Sequence, residues 1–156
     1  MSRLCGRAPP GERVAGTVPG QWRNLTLLGA LRLSGVAAAA SVEGPTDAEA
    51  FRVFVLESLV PVLHVGDVVA WDNLAPHAAA DLEDQIREAG AELRPLPPYS
   101  PDLSPIEPMW SKVKQFLRKA EARTLDQLGH AADEGFASVT EADARGWFRD
   151  CGYCFH

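Results

Sequence analysis

Two acidic residues, Asp72 and Glu107, occupy positions in the sequence from which their carboxylates could act as a pair in the folded chain. Asp72 directly follows the apolar, β-branched run 68–71, and Glu107 follows the proline-rich stretch 96–105, with 34 residues between the two acids. Paired carboxylates with nearby oxygen ligands suit hard divalent cations such as Mg²⁺. Two such ions about 3.5–4 Å apart can activate water and stabilise a leaving oxygen in phosphodiester chemistry. The pair therefore predicts a site where Asp72 and Glu107 share a cation.

Simpler interpretations of the same residues remain open. Glu107 lies three positions after Ser104 and could complete a capping box at a helix start. Asp72 and Asn73 could form a polar turn after a strand, in which Asn73 caps the turn rather than orienting the aspartate. His77 could approach a metal ion or a phosphate, although a histidine between a loop and a helix is more often structural.

The stretch 96–110 must position Glu107. Five of its fifteen residues are proline, and proline fixes φ and removes the backbone donor, so the segment predicts a stiff connector. Ser104 is suited to the N-cap position and Pro105 to the first helical position. A helix is therefore predicted from there to about Lys119, with Glu107 in its first turn.

The predicted 104–119 helix has two contrasting faces. Lys112, Lys114, Arg118 and Lys119 make it locally basic, and Glu107, Ser111, Lys114 and Arg118 recur at helical spacing along one side. Of the basic residues, Lys112, Lys114 and Arg118 are the candidates for DNA contact. Contact with DNA phosphates and a solvated charged face both fit these residues. The other side is apolar and predicts a core stripe: Ile106, Trp110, Val113 and Leu117.

The remaining pattern predicts a sheet with helices around it. Two apolar runs, 25–33 and 36–42, flank Ser34-Gly35 and predict an antiparallel hairpin. A Thr46-x-x-Glu49 capping pattern predicts a helix over 47–60, and a buried strand is predicted to end at Asp72. The further predictions are a helix over 78–89, a strand over 92–96 and helices over 124–138 and 141–148. This order predicts a mixed sheet flanked by helices, whose sites lie at the carboxyl ends of parallel strands.

The length and composition of the chain limit the classes of protein to which it can belong. The length suits one domain over residues 1–156, and a net charge of −6 gives no global nucleic-acid signature. Three cysteines favour a reducing compartment, and no secretory leader opens the chain, so a cytoplasmic location is expected. The apolar region 56–71 is interrupted by charged residues and proline, which predicts no membrane span. Cys151, Cys154 and His156 supply only three local ligands, which is little support for zinc.

Two segments resemble DDE-superfamily transposases of the mariner-like bacterial insertion-sequence group. They are 72–77, Asp-Asn-Leu-Ala-Pro-His, and 96–110, which contains the specific sequence Ser-Pro-Ile-Glu-Pro. The spacing of the two acids is the one that this group uses, and the likeness extends over essentially the whole chain. The resemblance implies an RNase H-like (retroviral-integrase-like) fold, with Asp72 and Glu107 as the second and third members of an acidic triad. It also implies Mg²⁺ or Mn²⁺ as cofactor, DNA as partner and a homodimer as the full-length enzyme.

One part of the family pattern has no counterpart in this sequence. The family's first catalytic aspartate ends a strand just before the segment that matches 3–8, but here no aspartate precedes Asp47. We therefore expect an incomplete domain that lacks the first central strand and does not cleave DNA by itself. The alternatives are a non-catalytic remnant that binds DNA, dimerises or has no function, and another metal nuclease of the same fold.

Overall fold

The structure is a computed structural model that describes residues 24–45, 47–71, 76–98 and 100–155, without the side chains of 76–80. It opens on the predicted hairpin: β1 (Leu25–Arg32) pairs antiparallel with β2 (Gly35–Glu43). Gly35 has a φ of 123°, which a residue with a side chain rarely adopts, so glycine is required at this tight turn. The predicted hairpin is thus confirmed.

The second strand pair is parallel, as the alternation of strands and helices predicted. β3 (Val68–Trp71) runs into α2 (Pro76–Glu88), which leads back to β4 (Glu92–Pro95). The register places Val68 opposite Glu92 and Trp71 opposite Pro95. The two strands therefore end at the same edge of their sheet.

The helices begin and end close to the predicted positions, with two differences in their caps. α1 (Ala48–Phe54) has Asp47 at its N-cap, whose Oδ1 accepts a hydrogen bond from the Ala50 N–H at 2.8 Å, whereas Thr46 of the predicted capping box lies outside the described residues. A π-helical turn (Val55–Leu59) and a 3-10 turn (Val60–Val62) continue α1 as far as Val62. α3 (Ile106–Ala120) has Pro105 at its N-cap with no side-chain hydrogen bond, so the predicted Ser104 cap is wrong.

The last two helices carry the caps that their sequences favour. α4 (Leu125–Ala137) begins after Thr124, and α5 (Glu141–Asp150) begins with a capping box between Thr140 and Asp143. No helix among the described residues is both long and apolar enough to cross a bilayer.

Two apolar clusters lie on opposite faces of β1. Leu28 and Ala30 pack in a cluster with α1 and α2, whereas Leu27 and Leu31 pack in a cluster with α3 and α4. Because successive strand residues point to opposite faces, these helix pairs cover the two faces of the hairpin. The α3 core includes the predicted Val113 and Leu117, with Ile106 and Trp110 half-buried against it. Met109, which was not predicted, is fully buried.

The described strands form two separate two-stranded sheets instead of the single mixed sheet that was predicted. No ladder joins β1 to β3 within the described residues. β3 was expected to be buried, yet Val68 is 57% exposed and Ala70 is also exposed. Val68 and Ala70 alternate with the half-buried Val69 and Trp71, so one face of β3 packs against the cluster with α1 and α2 while the other face is exposed.

Candidate active site

Glu107 lies in the first turn of α3, and its side chain is exposed to solvent. The capping-box interpretation predicted that its carboxylate would accept a hydrogen bond from the Ser104 N–H. That N–H instead donates to the Pro101 carbonyl at 3.1 Å. None of the residues in the described ranges donates a hydrogen bond to the Glu107 carboxylate or forms an ion pair with it. The carboxylate therefore has no structural partner there, while the positive end of the helix dipole favours its charge.

The proline connector determines where Glu107 stands. Its first residue, Leu96, donates its N–H to the Trp71 carbonyl at 2.9 Å, so the connector starts beside the carboxyl end of β3. A single 3-10 turn (Pro101–Leu103) follows. The Tyr153 hydroxyl donates to the Leu103 carbonyl at 2.9 Å and thereby ties this turn to the end of the chain. The connector is anchored at both ends and leads directly into the turn that carries Glu107.

Glu107 and Trp71 line the same cavity, which has a volume of about 1110 Å³. Trp71 is the last residue of β3, and the next residue in the chain is Asp72. Asp72, Asn73 and the His77 side chain lie outside the described residues. The shared cation site of Asp72 and Glu107 therefore stays a prediction. The part of the site that the structure describes is the exposed Glu107 carboxylate, which lies beside the end of β3 and has no partner among the described residues. Such a carboxylate suits a divalent metal ion.

The three α3 residues that were predicted to contact DNA have different surroundings. The Lys112 ammonium donates to the Asp143 carboxylate at 2.6 Å and to the Ser138 carbonyl at 2.8 Å, so its charge holds α3 against α5. Lys114 is exposed and Arg118 is half-exposed, on the side of α3 that carries Glu107. Phosphate contact remains a prediction for all three residues. It is least favoured at Lys112, because the Lys112 ammonium is already bound to Asp143 and Ser138.

Asp143 is a second carboxylate in the first turn of a helix, and it is fully engaged. It accepts hydrogen bonds from the Lys112 ammonium and from the backbone N–H and hydroxyl of Thr140. These bonds, the lysine first, lower the pKa of Asp143 to about 2. It acts as a structural anion that joins two helices.

One basic group that lines the cavity from α5 was not predicted from the sequence. Arg145 lines the cavity together with Glu141, to which its guanidinium is paired at 3.4 Å. The same guanidinium lies 4.7 Å from the centre of the Phe155 ring. Glu141, Arg145 and Phe148 recur at i, i+4 and i+7, so helical spacing was the signal that could have placed them on one face.

The two cysteines near the end of the chain both follow α5, with Cys151 at its C-cap. Cys151 is half-buried and Cys154 is exposed. Burial, together with the negative charges of Asp150 and Asp102, raises the pKa of the Cys151 thiol, which disfavours the thiolate that a metal needs. In the described ranges, no three His, Cys, Asp or Glu side chains are grouped closely enough to hold a metal ion. His156 lies outside those ranges.

Comparison with protein families gives one match, and comparison with solved structures gives several. A family model described as DDE superfamily endonuclease matches residues 1–129. No curated protein matches the chain.

Solved structures that resemble this chain include several of Mos1 transposase. A pre-cleavage Mos1 transpososome has a TM-score of 0.69 at 16% identity, and the match covers 99% of this chain and 53% of that one. The Mos1 mariner paired-end complex with Mn has a TM-score of 0.67 at 21% identity, over 94% of this chain and 46% of that one. The Mos1 catalytic domain with Raltegravir and Mg has a TM-score of 0.61 at 20% identity, over 86% of this chain and 78% of that one.

These likenesses confirm the predicted RNase H-like, mixed α/β fold. The chain spans about half the length of the first of these transposase chains. At this level of identity the likeness establishes the fold alone.

Proposed function

Because this chain belongs to the DDE superfamily endonuclease family, we propose that it is the C-terminal part of a transposase catalytic domain. Its chemistry would be metal-dependent cleavage of phosphodiester bonds at transposon ends and transfer of the freed strands to a target. The observation that carries this proposal is the Glu107 carboxylate, which is exposed and has no partner among the described residues at the cavity beside the end of β3. The motif over 96–110 supports the mariner-like bacterial insertion-sequence group in particular.

Asp72 and Glu107 would hold Mg²⁺ or Mn²⁺, which would supply water activation and charge stabilisation at the leaving oxygen. Carboxylate oxygens are the ligands that these hard cations prefer. The connector would keep Glu107 fixed relative to the end of β3, since it is tied to Trp71 at one end and to Tyr153 through Leu103. DNA would approach along the exposed side of α3 that carries Lys114 and Arg118.

Residues 1–156 supply only two of the three family carboxylates, so this chain alone should not cleave DNA. Even small displacements within a positioned site cost about a hundredfold in rate. Here a whole ligand is absent, and β3 has no hydrogen-bonded strand on its cavity side among the described residues.

Metal binding by the chain itself tests the carboxylate assignment. Titration of Mn²⁺, followed by the electron paramagnetic resonance signal of the free ion, should show weak binding. Loss of even an outer-shell partner costs about 10–100-fold in metal affinity. Glu107→Gln and Asp72→Asn should therefore each weaken binding by at least about tenfold. Glu141→Gln is the matched control, because Glu141 lines the same cavity and is also exposed. Unchanged binding by Glu107→Gln would reject this site.

A nicking assay tests the reaction. Supercoiled plasmid that carries the cognate transposon ends should stay intact when the 156-residue chain and Mg²⁺ or Mn²⁺ are added. A version extended by the coding sequence upstream, where that sequence carries an Asp-bearing strand, should nick it and should lose this activity with Asp72→Asn or Glu107→Gln. Robust metal-dependent cleavage by the 156-residue chain would contradict the proposal.

A further inference from the structure

The turn after α5 holds Tyr153 in a defined position. Gly152 follows the helix with a φ of 84°, a backbone angle that favours glycine. Its N–H donates to the Arg149 carbonyl at 2.9 Å. The Tyr153 N–H donates to the Phe148 carbonyl at 3.0 Å, and the two rings meet edge to face with their centroids 5.5 Å apart. These two bonds and the ring contact form a Schellman motif. The end of α5 therefore fixes both the backbone and the ring of Tyr153.

The hydroxyl of Tyr153 reaches the connector that precedes α3. It donates to the Leu103 carbonyl at 2.9 Å, although the two residues are 50 positions apart. The N–H of the same peptide unit, that of Ser104, donates to the Pro101 carbonyl at 3.1 Å, so this unit is held at both of its polar groups. The Glu107 N–H then donates to the Ser104 carbonyl at 3.2 Å. Hydrogen bonds thus connect the turn after α5 with the backbone of Glu107.

The position of Glu107 depends on this backbone support. Its carboxylate has no hydrogen-bond or ion-pair partner among the described residues, so no side-chain contact there fixes it. A second link to α5 follows within α3, where the Lys112 ammonium donates to the Asp143 carboxylate at 2.6 Å. α5 and its following turn therefore hold the chain both before Glu107, through Leu103, and after it.

We propose that Tyr153, through its hydroxyl, is a positioning residue that makes the Glu107 site selective for Mg²⁺ over Ca²⁺. This inference rests on the proposed function, because it requires Glu107 to be a metal ligand. Mg²⁺ demands near-ideal octahedral geometry with oxygen ligands at about 2.0–2.1 Å, whereas Ca²⁺ accepts variable geometry at about 2.3–2.6 Å. A carboxylate on a fixed backbone meets the stricter demand. Loss of the fixed position should therefore weaken Mg²⁺ binding more than Ca²⁺ binding.

Tyr153→Phe is the variant that tests the hydroxyl, because it keeps the ring that contacts Phe148. Amide hydrogen exchange measured by NMR without metal should become about three- to tenfold faster at Ser104 and Glu107, which corresponds to the loss of one net hydrogen bond. Exchange at Val113, in the middle of α3, should not change. This measurement tests the mechanical link alone.

Competition between metal ions tests the selectivity. Mg²⁺ or Ca²⁺ is titrated against bound Mn²⁺, and the electron paramagnetic resonance signal of the free Mn²⁺ reports displacement. Tyr153→Phe should lower the Mg²⁺ affinity by about three- to tenfold and the Ca²⁺ affinity by less than about twofold. A smaller folded fraction would lower both affinities by the same factor, so the ratio of the two reports the geometry of the site.

Thr26→Val is the matched control. The Thr26 hydroxyl donates to the Gly44 carbonyl at 2.7 Å, so this variant also loses one hydroxyl-to-carbonyl bond and keeps a side chain of similar shape. That bond joins the start of β1 to the residue after β2 and has no link to the connector. The control should leave both exchange at Ser104 and Glu107 and the ratio of Mg²⁺ to Ca²⁺ affinity unchanged.

Three results would overturn the positioning role of Tyr153. They are unchanged exchange at Ser104 and Glu107 in Tyr153→Phe, equal losses of Mg²⁺ and Ca²⁺ affinity, and a Mg²⁺ effect of Tyr153→Phe that persists in a Glu107→Gln background. Failure of the proposed function gives a different result. Glu107→Gln would then leave metal binding unchanged, which rejects the metal site and the selectivity together, whether or not Tyr153→Phe alters exchange.

Discussion

Glu107 and Asp143 are both acidic residues in the first turn of a helix, yet the fold uses them in opposite ways. Asp143 reaches back to the Thr140 N–H at 2.8 Å and also binds the Lys112 ammonium. Glu107 follows a proline cap and meets neither a backbone donor nor a cation among the described residues. The same local position therefore yields an anion that holds two helices together in one case and an available ligand in the other.

The difference follows from what precedes each helix. Thr140 has extended backbone angles and a free N–H, so its capping box can close. Before α3, the 3-10 turn uses the Ser104 N–H, and Pro105 has no N–H to offer. Because no local backbone N–H donates to the Glu107 carboxylate, this carboxylate remains available to bind another ligand.

Removal of the Asp143 carboxylate should have the largest effect on stability. Asp143→Ala loses a helix cap and a partly exposed ion pair, so we expect a loss of about 1–2 kcal/mol in the free energy of unfolding. This corresponds to a fall of roughly 2–8 °C in melting temperature for a chain of this size. Glu107→Ala, the matched change, should leave stability nearly unchanged. Thermal and urea unfolding measure both, and an equal loss in the two variants would show that Glu107 is structural too.

The effect of Asp143 should also depend on pH. Its pKa is lowered from 3.8 to about 2 in the folded chain, so the unfolded chain binds more protons between these values and stability rises with pH there. The stabilisation by the charge is complete above about pH 4 and is lost as the pH falls toward about 2. Urea unfolding of the wild type and Asp143→Asn over this range should show the advantage of the wild type shrinking. A constant difference would contradict the assigned cause.

Lys112 and Lys114 of α3 extend the same comparison with smaller effects. Binding of duplex DNA to this chain should be weak, salt-sensitive and indifferent to sequence, because phosphate contacts would dominate it. Lys114→Ala should lower the slope of log affinity against log salt concentration by about 1 and leave stability unchanged. Lys112→Ala should reduce stability and hardly alter the slope. Fluorescence anisotropy at several salt concentrations measures the slopes, and the reverse pattern would show that Lys112 contacts DNA.

The sequence by itself determined the elements whose bonds close within a few residues. Ser34-Gly35 predicts the hairpin, because a turn with positive φ requires glycine at this position. The spacing of Val113 and Leu117 predicts the buried face of α3, and the run 96–105 predicts a connector that delivers Glu107 to a helix start. Hydrophobic period and proline stereochemistry are local properties, so they can be read without the fold.

Only the tertiary structure decided which groups meet. Lys112 and Asp143 are 31 positions apart, so no local pattern shows that the lysine is bound to that carboxylate. Ser104 has the residue type of a cap, yet the adjoining 3-10 turn uses its N–H. The described strands form two separate pairs, β1 with β2 and β3 with β4, and no local pattern shows this grouping. Which strands pair, and which charged groups form ion pairs, depends on the elements that the folded chain places side by side. That placement is a non-local property.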